Sequence, residues 1–311
     1  VQVAALDSPA GLVIPVREGR RDGPGLRERA MKLLRHGPAG QEKTGMLDAL
    51  GRVRDLSAHL PDLAGAALDP ATLDRLRGLD PEGLPLVENP GRIGPCLARV
   101  PNFFCVGLNY GKHAAETGAK PPKEPILFSK ASSALSGPYD PVVIPREAEK
   151  CDWEVELGVV IGRETLYVSE AEALDHVAGY CVINDVSERA FQAERGGQWI
   201  KGKSAPSFGP LGPWLVTADE VPDPQALRLT LDLNGDRMQD ESTADMIFLV
   251  AEIVAYMSRF MKLVPGDVIA TGTPSGVGLG MSPQRFLRPG DVMELEVEGL
   301  GRQRQEVVAA G

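Results

Sequence analysis

Asp152-Trp-Glu154-Val-Glu156 sets three carboxyl groups at alternate positions, and Leu157 to Ile161 continues them as an apolar run. As one strand this stretch turns Asp152, Glu154 and Glu156 to one face and Trp153, Val155, Leu157, Val159 and Ile161 to the other. Neighbouring carboxylates beside a buried run repel each other unless a cation compensates them. Two of them, joined by a third acid from another strand, form an all-oxygen set for Mg²⁺ or Mn²⁺ that leaves positions open for water or substrate. Asp185 is the candidate for that third acid, because Gly179 to Asn184 is an apolar strand that ends abruptly in it. Two simpler readings compete: an amphipathic strand whose acids are solvated, and Asp185 as the N-cap of a helix over Ser187 to Gln192.

In Gly111-Lys-His113-Ala-Ala-Glu116-Thr-Gly118 a short helix puts His113 and Glu116 on one face, where the carboxylate can orient the imidazole as a general base. Asn109 stands where it can cap that helix and Gly118 where it can stop it, and the flanking glycines would let the piece move as a lid. A surface ion pair is the other reading of the same spacing. Lys201 and Lys203 lie in a loop otherwise rich in apolar residues, Gly and Pro. Near a carboxylate cluster a lysine neutralises excess charge or binds an anionic substrate; on a surface it is solvated. Thr271-Gly-Thr273-Pro-Ser-Gly276-Val-Gly278 follows a short strand and either offers N–H groups and hydroxyls to a carboxylate or makes a tight sheet connection. It lacks the lysine and spacing of a phosphate-binding loop, so a nucleotide is not indicated.

Such side chains need a scaffold of strands and turns, and the residues supply one. Asn234-Gly235 signals a hairpin. Ile247, Val250, Val254, Met257 and Met261 recur at helical spacing, with Ser242 or Thr243 as cap and Pro265 as stop. The pattern predicts an α+β, predominantly β fold in three parts. Residues 1–30 form an N-terminal extension upstream of a natural start at Met31, residues 31–100 a small N-terminal domain with a helix behind Pro70, and residues 101–311 the catalytic domain.

Composition narrows the partners. The 311 residues carry 33 Lys+Arg against 43 Asp+Glu, a net charge of −10, so neither nucleic acid nor an anionic membrane is an expected partner. The four cysteines and four histidines fall in no zinc-binding spacing, which leaves a hard, oxygen-bound metal and a reducing, cytoplasmic setting as the expectation. No apolar run reaches the ~20 residues that cross a bilayer.

From about Phe103 to Gly301 the chain resembles the fumarylacetoacetate hydrolase family. The resemblance is carried by Gly107-Leu-Asn109-Tyr110 with His113 and Glu116, Asp152-Trp-Glu154-Val-Glu156, Gly179-Tyr-Cys-Val-Ile-Asn-Asp185-Val-Ser-Glu-Arg189, Gly202-Lys203-Ser204, Phe208-Gly-Pro-Leu-Gly-Pro213, and Thr271-Gly-Thr273-Pro-Ser-Gly-Val-Gly278. The preceding part resembles the N-terminal portion of bacterial members that act on diketo or hydroxymuconate-type acids. The resemblance implies a mixed β-sandwich roll, a homodimer, and Mg²⁺ or Mn²⁺ held by Glu154, Glu156 and Asp185. It also implies that His113 and Glu116 activate water on a lid, that Lys203 stands near the reacting carbonyl, and that Tyr110, Arg189, Gln192 and Thr273 bind substrate. Ala-Pro-Ser-Phe follows Lys203-Ser204 where many relatives carry an Asp-Thr-Phe type sequence, a difference that bears on loop shape and substrate choice.

The expected reaction is hydrolysis of C3–C4 in a 2,4-dioxo acid, either a 2,4-diketo-3-deoxy sugar acid or an acylpyruvate. It yields pyruvate and a second acid through a metal-stabilised enolate. Isomerisation or decarboxylation of hydroxymuconate-type acids and a ureidoglycolate lyase-like reaction draw on the same chemistry. Outside enzymology, the three acids would hold a purely structural ion.

Overall fold

Val155-Glu-Leu-Gly-Val-Val-Ile161 is buried at every position, and a strand buried on both faces needs a packed layer on each. The computed structural model, which describes residues 31–311, supplies both layers. The extension expected over residues 1–30 lies outside the described residues.

The described chain opens with strands β1 (Lys32–His36), β2 (Lys43–Leu47) and β3 (Val53–Asp55), then helix α1 (Pro70–Arg77). Next come β4 (Phe103–Gly107), helix α2 (Gly111–Glu116), β5 (Ile126–Lys130), β6 (Leu135–Ser136) and β7 (Val142–Ile144). β8 (Cys151–Asp152), β9 (Val155–Ile161), helix α3 (Glu170–Ala173), β10 (Val177–Asn184) and β11 (Ser187–Glu188) follow. Helix α4 (Ile200–Lys203) leads into β12 (Gly209–Thr217) and the hairpin of β13 (Arg228–Leu233) and β14 (Asp236–Ser242). Helix α5 (Val250–Ser258), β15 (Val268–Ala270), β16 (Val292–Val297) and β17 (Gly301–Ala309) complete the chain.

The strands form a mixed ten-stranded sheet in the order β3-β2-β1-β12-β10-β9-β15-β4-β5, with β6 beside β12, and a five-stranded sheet in the order β14-β13-β16-β17-β7. Odd-numbered residues of β9, Val155 to Ile161, pack in one core with α5 and with Leu229, Leu231, Met293 and Leu295 of the smaller sheet. Val160 of β9 and Cys181 and Ile183 of β10 enter a second core with Leu33, Leu56, Leu68 and Leu76. The result is the α+β, predominantly β fold that the sequence predicts. Residues 31–100 share the large sheet itself, since β1 pairs with β12, Leu33 opposite Leu215. Asn234 and Gly235 turn the hairpin with φ of 55° and 87°, both in the left-handed region that a two-residue turn of this hand requires.

One pairing positions the acids. β9 and β10 are antiparallel with Ile183 opposite Glu156 and Asn184 opposite Val155. The start of β9 therefore lies beside the end of β10, and the Asp185 N–H donates to the Glu154 carbonyl at 2.9 Å.

Several local expectations are corrected. The strand over 151–161 is interrupted at Trp153 and Glu154, and Ser187-Glu188 is a short strand paired with β8 rather than the start of a helix. Only a π-turn over Ala190–Glu194 follows it. Ser242 caps a 3₁₀ turn and α5 begins at Val250. The cause is Asn109, which does not cap α2. Its carbonyl accepts from the Ile247 N–H at 2.7 Å and its Oδ1 from the Phe248 N–H at 2.8 Å, holding that segment out of the helix.

Candidate metal centre and active site

Glu154, Glu156 and Asp185 converge at the shared end of β9 and β10, none more than 4% exposed. One oxygen from each lies within 4.8 Å of the others. Asp152, on the same face in the sequence pattern, is drawn away by the break in the strand. It accepts from the N–H groups of Gly278 at 2.7 Å and Leu279 at 3.0 Å and from Arg189 Nε at 2.8 Å.

Three cations face these four acids. Lys203 Nζ lies between Glu154 Oε2, at 2.5 Å, and Asp185 Oδ2, at 2.7 Å. Lys130, at the end of β5, pairs with Asp185 Oδ1 and donates to the Val186 carbonyl at 3.1 Å. Arg189 spans Asp152 and Glu154, with Nη1 at 2.7 Å from Glu154 Oε1. Burial disfavours the charged form of Glu154, but Arg189 and Lys203 outweigh it and hold that carboxyl well below the usual range. Burial likewise opposes the charge on Lys203, and Asp185 and Glu154 overcome it, so the ammonium is retained. Glu156 goes the other way: burial first, then Asp185 and Glu154, push its carboxyl well up. Among the described residues no cation pairs with Glu156, which accepts only from the Gly272 N–H, at 2.8 Å. An acidic oxygen set with one carboxylate that has no ion-pair partner of its own among the described residues fits a hard divalent cation such as Mg²⁺ or Mn²⁺.

A cavity of about 340 Å³ opens onto this cluster, lined by Glu154, Glu156, Lys203, His113, Arg189 and Thr273 among others. His113 Nδ1 lies 2.8 Å from Glu116 Oε1, and Glu116 Oε2 accepts from the Gly276 N–H at 2.9 Å. The dyad on α2 is thus anchored to the 271–278 loop. The N–H groups that the loop was expected to offer a ligand serve the chain's own carboxylates: Glu156, Glu116 and Asp152. Gln192 lines the cavity and accepts from Arg189 Nη1 at 3.3 Å. Thr273 Oγ1 donates to the Val155 carbonyl at 2.9 Å. Tyr110 does not line the cavity; it is buried at the entrance of α2, and its hydroxyl has no hydrogen-bond partner among the described residues. Lys201 is exposed and donates to the Arg195 carbonyl.

Sequence reasoning missed Lys130, the grip of Asp152 on Arg189, and two amides at the break, where the Glu154 N–H donates to Asn184 Oδ1 and the Val155 N–H to Gln239 Oε1. For Lys130 a signal existed: Ile126-Leu-Phe-Ser-Lys130 is an apolar strand ending in a charge, as Gly179 to Asp185 is.

Known proteins share this arrangement of chain. A Burkholderia ambifaria protein whose name goes no further than hydrolase is 60% identical over 276 residues, covering 88% of this chain and 98% of its own. The structure of a fumarylacetoacetate hydrolase from psychrophilic Exiguobacterium antarcticum superposes with a TM-score of 0.78 at 34% identity, covering 90% of this chain and all of that one. A 5-carboxymethyl-2-hydroxymuconate delta-isomerase from Mycobacterium smegmatis gives a TM-score of 0.70 at 30% identity, over 90% of this chain and 100% of its own. The sequence model for the C-terminal region of fumarylacetoacetate hydrolase matches residues 102–308, the part that carries the acids, the dyad and the loop around them. This chain belongs to the fumarylacetoacetate hydrolase family.

Proposed function

We propose that the chain hydrolyses the C3–C4 bond of a 2,4-dioxo acid to pyruvate and a second carboxylic acid, with Mg²⁺ or Mn²⁺ held by Glu154, Glu156 and Asp185. One observation carries this reading: the two glutamates and His113, with Nδ1 already engaged by Glu116, face a single cavity. When bound, the divalent ion supplies Lewis-acid polarisation at the 2-oxo end of the substrate. Arg189, Gln192 and Thr273 hold the acid end within the same cavity. His113 takes a proton from water at Nε2 while the water oxygen bonds to C4. The C3–C4 bond breaks with its electron pair left on C3, and a returning proton there completes pyruvate. Lys203 stabilises the negative charge that develops on the C4 oxygen.

A homodimer and a cytoplasmic setting belong to the same proposal. The exposed Tyr167 and Phe260 side chains supply apolar contact area for the first, and the four free, buried cysteines support the second. No helix among the described residues is long and apolar enough to cross a membrane.

The test is pyruvate release from acylpyruvates, followed through a coupled dehydrogenase, beside CO₂ release and double-bond migration. Pyruvate should appear with the parent chain. His113→Ala should lower its rate by about 10²–10⁴-fold while Mg²⁺ still binds, because the ring assists proton transfer and holds no ligand position. Double-bond migration without pyruvate would replace hydrolysis with the activity named for the Mycobacterium smegmatis structure.

A further inference from the structure

On that reading the substituent on C4 shares the cavity with the reacting groups. Beside Glu154, Glu156 and Lys203, the cavity is lined by Val106, Gly107, Leu108, Phe128, Trp199 and Leu279. A single helical turn builds much of this wall. Lys203 ends α4 and Trp199 stands at its N-cap, four residues earlier, so both fall on one side of the turn. Between them lies the Phe128 ring, 5.2 Å from Lys203 Nζ and 5.1 Å, edge to face, from the Trp199 ring. Trp199 rests on the backbone at the end of β4, where a Cβ on Gly107 would stand 2.4 Å from its Cζ3. An aromatic surface therefore adjoins the charged cluster within the cavity.

Lys150, Gln284 and Thr117, which also line the cavity, each have a protein partner. Lys150 pairs with Glu194 at 2.5 Å, and Gln284 donates to the Leu279 carbonyl at 2.9 Å. Thr117 donates to the His113 carbonyl at 3.0 Å. A polyhydroxylated chain laid against Val106, Leu108, Phe128, Trp199 and Leu279 would give up hydrogen bonds to water at those surfaces, whereas an alkyl or aryl group gains contact there.

We propose that the C4 substituent is apolar. The site selects acylpyruvates with an alkyl or aryl acyl group over 2,4-diketo-3-deoxy sugar acids, and Trp199 and Phe128 determine that choice. This preference rests on a dioxo-acid substrate, so its test uses 2-oxo acids that lack the C4 carbonyl and cannot be cleaved. With Mg²⁺ present, binding of 2-oxo-4-phenylbutanoate, 2-oxobutanoate and 2-keto-3-deoxygluconate is measured by titration calorimetry. The phenyl acid should bind about tenfold tighter than either of the others, the scale on which apolar pockets discriminate. Trp199→Ala should shrink that ratio about fivefold, the scale of one aromatic contact, and Trp199→Phe should keep part of it.

Equal affinities, a tighter sugar acid, or a ratio that Trp199→Ala and Trp199→Phe both leave unmoved overturns the proposal. Binding of none of the three overturns it together with the reading beneath it. Pyruvate release from benzoylpyruvate is scored separately. Phenyl preference without that release removes the cleavage reading and upholds the apolar wall.

Discussion

Glu154 and Glu156 stand two residues apart and are driven in opposite directions. Burial opposes the charge of both, but Arg189 and Lys203 reverse the balance for Glu154, whereas Asp185 and Glu154 add to the burden on Glu156. A carboxyl raised in the folded chain binds its proton more tightly there than in the unfolded chain. Its contribution to stability therefore falls as pH rises above the ordinary value of 4.5. In chelator-treated protein at pH 7, Glu156→Gln should then raise the urea midpoint above that of the parent, and the advantage should fade as pH falls towards that ordinary value. On the proposed metal site, Mg²⁺ should reverse the order, because a bound ion adds about 2.7 kcal/mol to the parent at a hundred times the dissociation constant and Glu156→Gln removes one of the proposed ligands. A parent more stable than Glu156→Gln at pH 7 under chelator would show that the third carboxylate already has its counter-charge.

At the scale of the element, the break between β8 and β9 is held open by side-chain amides. Asn184 Oδ1 accepts from the Glu154 N–H at 3.2 Å, and its Nδ2 donates to Gln305 Oε1 at 3.1 Å. Gln305 in turn donates to Gln303 Oε1 at 2.9 Å, and Gln303 to the Val182 carbonyl at 2.8 Å, so β17 of the smaller sheet is tied to the end of the larger that carries Glu154, Glu156 and Asp185. Asn184→Ala strips partners from buried groups on both sheets, at a cost of about 1–3 kcal/mol in unfolding free energy, read from urea unfolding. It should also weaken Mg²⁺ binding roughly 10–100-fold, as loss of a group that orients a ligand does. Lost stability with unchanged Mg²⁺ affinity would assign Asn184 to joining the sheets alone. This break was not legible in the sequence, because alternation from Asp152 to Glu156 is the same whether or not the strand is continuous. The convergence of Glu154, Glu156 and Asp185 was legible, since two antiparallel strands with acids at opposite ends must bring those ends together. Asn109 shows the other limit. Its short spacing to α2 suggests a cap, while its partners lie 138, 139 and 162 residues further along the chain, at Ile247, Phe248 and Thr271. That single long-range grip displaced the start of α5, which helical periodicity alone had put too early. Lys130 was missed for a similar reason: a lysine ending a strand reads the same whether it is solvated or paired with a buried aspartate.

Over the whole molecule, residues 31–100 pair into the large sheet and share its second core with later strands. Leu33 is fully buried on β1, in the same core as Ile183, which lies two residues before Asp185. Ion pairs run alongside: Arg35 joins Asp62 and Glu42, and Arg92 joins Glu42 and Asp140. Such a segment has no separate apolar interior to melt on its own. Unfolding should therefore be one cooperative calorimetric transition over the described residues, with the acids lost together with β1. Leu33→Ala should destabilise that single transition by about 2–5 kcal/mol, the usual cost of a buried leucine cavity, and move it without splitting it. Scanning calorimetry with and without Mg²⁺ separates the cases. If an early transition appears that Mg²⁺ does not shift, residues 31–100 unfold as an independent unit, and the core that joins Leu33 to Ile183 does not couple them to the site.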